Sequence, residues 1–183
     1  VVNDASTDGT PAILERYRRQ GRIRVVRHQR NRGLAAARNS GIRAARGTYV
    51  SFLDSDDIWR PEKLEFHVSI LRADPEIVLL SNDGMVFRDG DRVQFPPIPK
   101  RPHLRPVSWM RLLMGSCPLS ASSAIVRRDA LEEVGLFDDS LRAAEDRDLW
   151  MRLTRRFGGW VASGVVHGYR RHEANMSSDP SNM

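Results

Sequence analysis

The chain is expected to fold as an α/β domain: a mostly parallel sheet flanked by helices, with a mixed second half. Three observations carry that expectation. Short apolar runs alternate with helix-like segments through the first half, joined by connections of a few residues. The run Tyr49-Val50-Ser51-Phe52-Leu53, rich in aromatic and β-branched residues, reads as a buried strand. It ends in Asp54, Asp56 and Asp57, and the carboxyl ends of strands in such sheets face the crevice where these folds take ligands.

Taken in order, Val1-Val2-Asn3-Asp4 reads as a strand running into the polar turn Asp4–Gly9. With no initiator Met and a start already inside a strand, the chain is expected to lack a first strand and helix of its domain. Thr10 as cap and Pro11 in the first helical position open a helix with Ile13, Leu14 and Tyr17 on one face, closed by Gly21. A short strand at 23–26 and the turn Asn31-Arg32-Gly33 lead to an Ala-rich helix over 34–45, stopped by Gly47. After the 49–53 strand, Leu64, Val68 and Leu71 give a helix starting at Pro61 its apolar stripe, and 77–80 is a buried strand.

The second half differs. Residues 95–106 are proline-rich and basic, the mark of a long exposed loop. A short helix over 108–113, a strand over 122–126 and a helix capped by Asp129 and ended by Gly135 follow. Glu145-Asp146 precedes a helix reaching Arg156, with Leu149, Trp150, Leu153 and Phe157 on one stripe, and a last strand covers 160–166. Trp109 and Trp150 are read as core. The organisation is one domain over 1–177, a donor-binding half at 1–94 and an acceptor half at 95–177, before a polar tail at 178–183.

At 183 residues, with 40% hydrophobic and 28% charged residues, the chain can bury a core of its own. No apolar run approaches a membrane span. One cysteine, Cys117, excludes an internal disulfide and fits a reducing cytosol; it is read as a packed thiol. The formal net charge of +6 favours phosphate-bearing partners and allows peripheral contact with the inner face of a membrane. The arginines are scattered and no nucleic-acid-binding motif is present, so nucleic acid is not an expected partner.

The oxygens of Asp54 and Asp56 suit a hard divalent cation, Mg²⁺ or Mn²⁺, which in turn bridges phosphate oxygens. The plain alternative is an acidic loop before the helix at Pro61. Four ordered segments weigh on that choice: Val2-Asn3-Asp4-Ala5-Ser6-Thr7-Asp8-Gly9-Thr10; Asn31-x-Gly33 with Ala37-Arg38-Asn39; Phe52 through Trp59; and Glu145-Asp146-Arg147-Asp148-Leu149-Trp150. Together they resemble glycosyltransferase family 2, the nucleotide-sugar-dependent enzymes of the Rossmann-like GT-A fold. Tyr169-Arg170-Arg171-His172 is similar to the family's closing motif.

The resemblance implies inverting transfer of a sugar from a nucleoside diphosphate-sugar to a hydroxyl of a glycan, lipid-linked or other acceptor, in cell-surface polysaccharide or glycan synthesis. It implies that Asp4 contacts the base or ribose, that Asp54 lies near the ribose, that Asp56 and His172 hold Mn²⁺ or Mg²⁺, and that Asp146 is the general base. Asn3 departs from the family, which usually has Asp there. On residue chemistry alone, Arg38 is either a phosphate or ribose contact or a solvated helix-face arginine, and His172 either a metal ligand or a surface histidine. Asp146 also suits a helix N-terminus for electrostatic reasons, and Glu145 competes with it as base. His28, His67 and His103 have no partners at catalytic spacing. Two rivals stand beside transfer: an inactive nucleotide- or carbohydrate-binding fragment, and a haloacid-dehalogenase-like phosphatase, whose motif would differ at Ile58.

Overall fold

The chain begins on β1 (Val2–Asn3), which lies parallel to β2 (Val26–Arg27) with Val2 opposite Val26. Between them runs α1 (Thr10–Arg19), capped at Gly9 rather than Thr10, with Pro11 in its first turn. The structure, a computed structural model, describes residues 1–114, 119–173 and 175. Cys117, the Gly115–Pro118 segment and the 178–183 tail lie outside the described residues.

α2 (Leu34–Ala44) starts after Gly33, whose φ of 88° is a conformation that side chains disfavour. It turns Ala35, Ala36, Asn39 and Ile42 inward. β3 (Tyr49–Ser51) follows, then the acidic turn, β4 (Ile58–Trp59) and α3 (Lys63–Ala73). β5 (Leu79–Phe87) is much longer than the apolar run at 77–80 suggests. The expected proline-rich loop yields a strand at its end, β6 (Leu104–Val107), where Pro106 is tolerated because β6 pairs on one side only, with the final strand. α4 (Trp109–Leu113) is capped by Ser108, whose hydroxyl accepts from the Arg111 N–H. β7 (Ile125–Arg127), α5 (Arg128–Val134), α6 (Glu145–Phe157) and the twelve-residue β8 (Gly159–Arg170) complete the domain.

The larger sheet has the order β3-β7-β5-β8-β4, with β6 also on β8. The α/β class with helices flanking a sheet stands, and the mixed character expected of the second half extends through the whole larger sheet. Within it only β5–β8 is parallel; β3–β7, β5–β7, β4–β8 and β6–β8 are antiparallel. The alternation of strand and helix identifies the elements but not their neighbours. β7, from the second half, inserts between β3 and β5 and reverses both pairings.

Two apolar clusters hold the sheet. Leu79, Val126 and Val161 belong to one, and their chain neighbours Leu80, Ile125 and Ala162 to the other. Successive strand residues point to opposite faces, so the clusters are the two faces of one sheet. Trp150 is fully buried in the first, against the rings of Phe52 and Phe137 at 6.3 and 6.2 Å between centroids. Trp109 is not core: it is 37% exposed at the start of α4, beside Arg155, because its helix is a single short surface turn.

Candidate functional site

Phe52, buried against Phe137, anchors the chain as it leaves β3, and after the exposed Leu53 the acidic turn begins at Asp54. The turn is closed by the Asp57 N–H donating to the Asp54 carbonyl at 3.1 Å. From outside, the Asp54 N–H donates to Ser122 Oγ at 3.1 Å, and Asp57 Oδ1 accepts the Arg170 N–H at 3.0 Å. Asp57 is 8% exposed, and burial raises its carboxyl above the ordinary value, against the bonds from Ser122 and Arg170. It fastens the end of β8 to the turn, a role that nothing in its sequence context announces.

That fastening carries His172 to the site. His172 Nε2 lies 3.1 Å from Asp56 Oδ2, and Asn175 Nδ2 donates to the same oxygen at 3.3 Å. Asp56 and His172 keep 35% and 28% of their side-chain surface exposed, so a carboxylate and an imidazole are presented together to solvent. Asn175, missed in the sequence, orients the histidine by accepting the His172 N–H on Oδ1 at 2.6 Å.

On the other side of the turn stands Arg38. Its Nη2 donates to Asp54 Oδ1 at 2.7 Å and its Nη1 to Glu145 Oε1 at 2.6 Å, with the arginine side chain only 9% exposed. This is not a solvated helix-face arginine. Burial opposes its charge, but Asp54, Glu145 and Asp146 together outweigh that and raise its affinity for the proton. One guanidinium thus joins the acidic turn to the start of α6.

The first turn of α6 holds three carboxylates, Glu145, Asp146 and Asp148, where the helix dipole favours negative charge. Glu145 is committed to Arg38, and Asp148 is bound by Arg152 at 2.6 Å. Among the described residues Asp146 accepts the Arg147 N–H, at 2.7 Å. Burial, then neighbouring Glu145, raises its carboxyl above the ordinary aspartate value, overcoming the attraction of Arg38. Of the three, Asp146 is the one that no arginine side chain pairs among the described residues.

Asp4 organises a different corner. Its carboxylate accepts the backbone N–H groups of Arg32 at 2.9 Å and Gly33 at 2.8 Å, and meets His28 Nδ1 at 2.6 Å. These bonds outweigh the burial that would raise its carboxyl and hold it below the ordinary range. His28, passed over in the sequence, is bonded on both ring nitrogens, the second to Ser40 Oγ at 2.8 Å. Its partner stands 24 residues away, beyond any local spacing. Asn3, the departure from the family pattern, is 7% exposed and accepts the Ser6 N–H, a turn-forming role. Asp4 acts on α2 at its start and Arg38 lies further along the same helix, so one element links the two corners.

The model of glycosyl transferase family 2 matches residues 1–135. The chain belongs to glycosyl transferase family 2. TuaG of Bacillus subtilis, named as a teichuronic acid biosynthesis glycosyltransferase, is 28% identical over 183 residues, covering 98% of this chain and 69% of TuaG. The uncharacterized glycosyltransferase RT0329 of Rickettsia typhi is 26% identical over all of this chain and 57% of its own length. Among solved structures, Staphylococcus aureus TarS 1–349 in complex with UDP-GlcNAc superposes with a TM-score of 0.75 at 24% identity, covering 98% of this chain and 51% of TarS 1–349. The mannosyltransferase PcManGT of Pyrobaculum calidifontis, in complex with GDP-Man and Mn²⁺, gives 0.63 at 22% identity, over 89% of this chain and 46% of that one. The structural likeness establishes the GT-A-type fold. The chain spans about half of these solved structures and 57–69% of the two relatives.

The candidate donor set for a metal, Asp56 with His172, is two side chains. Among the described residues no group of three or more His, Cys, Asp or Glu is arranged to hold an ion. Asp56 with His172 nevertheless fits Mn²⁺ or Mg²⁺, because such ions are commonly held by one or two protein ligands and completed by substrate phosphates and water.

Proposed function

We propose that this family-2 chain performs inverting transfer of a sugar from a nucleoside diphosphate-sugar to an acceptor hydroxyl, as a step in cell-surface polysaccharide synthesis. The observation that carries the proposal is the Arg38 bridge, which joins Asp54 of the acidic turn to Glu145 beside Asp146. The names of TuaG and TarS's bound UDP-GlcNAc support the substrate class.

In this reading Asp146 accepts the proton of the acceptor hydroxyl as its oxygen attacks the anomeric carbon. The bond from that carbon to the diphosphate breaks, and the electron pair leaves with the nucleotide. The raised carboxyl of Asp146 suits a base that must hold a proton transiently. Asp54 and Arg38 orient the donor's ribose and phosphates, and Asp4 shapes the nucleoside corner through Arg32 and Gly33. Asp56 and His172 would hold Mn²⁺ or Mg²⁺, and that ion would supply Lewis-acid neutralisation of the charge on the departing diphosphate. Residues 1–94 form the donor half and 95–177 the acceptor half.

Among the described residues no helix is long and apolar enough to cross a membrane. We place the reaction in the cytoplasm, with the net charge of +6 drawing the protein toward anionic surfaces at the inner membrane face. The test is release of nucleotide from UDP- and GDP-sugars by the full chain with Mn²⁺, and its loss in D146N. Binding without turnover of any donor would favour a binding module, and metal-dependent phosphate release from simple phosphoesters would favour a phosphatase.

A further inference from the structure

Lys63, which opens α3, is fully buried, with 0% of its surface exposed. No carboxylate among the described residues compensates its charge; burial pushes its ammonium down to about 7. Its Nζ reaches Ser51 Oγ and His67 Nδ1, each at 3.3 Å, and sits 4.5 Å from the centre of the Trp59 ring. His67 supplies no opposite charge, and burial, then Lys63, pushes its imidazole down to about 2. His167, which also feels Lys63, is pushed down to about 4, chiefly by burial. An uncompensated buried amine costs stability, and a methionine of similar reach would fill the space at lower cost.

What the amine does, and a thioether does not, is grip both ends of the acidic turn. Ser51 is the last residue of β3 before it, and Trp59 closes β4 after it. Beyond Lys63, the Trp59 Nε1–H donates to the Ser122 carbonyl at 2.8 Å, and Ser122 Oγ accepts the Asp54 N–H at 3.1 Å. A continuous path therefore runs from Lys63 through Trp59 and Ser122 to the backbone of the turn.

We propose that Lys63 is a positioning residue for donor binding: by holding Ser51 and the Trp59 ring it fixes the Asp54–Asp56 turn in the shape that receives a metal-bound nucleoside diphosphate. The inference rests on the sugar-transfer reading above and extends it to a residue that touches no donor.

The experiment uses the full chain and three variants, K63M, W59F and K63M/W59F. Affinity for UDP and for GDP is measured calorimetrically with saturating Mn²⁺, beside each melting temperature. K63M is expected to bind the nucleotide about tenfold more weakly, while its melting temperature holds or rises, a split that a packing role would not give. W59F, which lacks the indole N–H, is expected to lose a similar factor, and the double variant to be no weaker than the weaker single, because both act along one path. Unchanged K63M affinity, or losses that multiply in the double variant, would overturn the proposal. If K63M does not fold, W59F decides alone, and unchanged W59F affinity overturns the path. A wild-type chain that binds neither nucleotide overturns the transfer reading itself, and this inference with it.

Discussion

Arg38 and Glu145, 107 residues apart in the chain, form a buried ion pair at 2.6 Å, with 9% and 8% of their side-chain surfaces exposed. Removing the arginine leaves Glu145 buried without a counter-charge and frees Asp54. Breaking such a pair from one side costs about 3–5 kcal/mol. R38M is therefore expected to lose that much stability in urea unfolding. R38K, which keeps the charge but not the fork that reaches two carboxylates, should lose less.

The second expectation concerns Asp146. D146N should keep the fold and lose roughly 10²–10⁴-fold in transfer rate, measured as nucleotide release with a competent donor and acceptor. The wild-type rate should rise with pH as Asp146 ionises, along a limb centred above the ordinary aspartate value of 3.8. Stability runs the other way. The folded chain holds the Asp146 proton more tightly than the unfolded one, so stability falls as pH rises from 3.8 through the folded value. D146N should remove that contribution and be at least as stable as wild type at neutral pH.

Asp56 and His172 give a third test, by thermal shift. A ligand that binds only the folded chain at a hundred times its dissociation constant adds about 2.7 kcal/mol, so Mn²⁺ with UDP or GDP should raise the melting temperature. D56N and H172A should each abolish most of the Mn²⁺-dependent part of that shift, without changing the melting temperature measured in chelator by more than a few degrees.

The core makes a fourth, independent of function. W150A empties a fully buried site between Phe52 and Phe137, and such truncations cost about 3–5 kcal/mol. Because Phe52 anchors the chain where it enters the acidic turn, nucleotide affinity should fall as well, measured at a temperature where the variant is folded.

Much of this was legible from local pattern. The helices over Leu34–Ala44 and Glu145–Phe157 announce themselves through apolar spacing and terminal residues, and the acidic turn through an abrupt change from aromatic to carboxylate. Family likeness supplied Asp146 and His172 as candidates and guanidinium chemistry supplied Arg38, and the structure shows what surrounds each. What local pattern does not carry is pairing at long range. β7 sits between β3 and β5 through contacts between distant strands, so the mixed sheet left no periodic trace. β5 and β8 continue past their apolar runs through Asp83-Gly84 and His167-Gly168, polar and glycine residues that extend no apolar pattern. His28 was invisible for the same reason as Lys63: a histidine bonded to an aspartate 24 positions earlier and a lysine sealed against a tryptophan look like ordinary polar residues until the chain is folded.

Strand β8 touches β5, β6 and β4 along its twelve residues and then releases the chain toward His172. Its threading consequently works as a ruler. Sliding it by a single position would invert every side chain between Gly159 and Arg170 and deliver the imidazole to the wrong place. Insertions and deletions in this stretch should therefore be purged far more severely than in the 88–103 connection, where extra length need not displace His172.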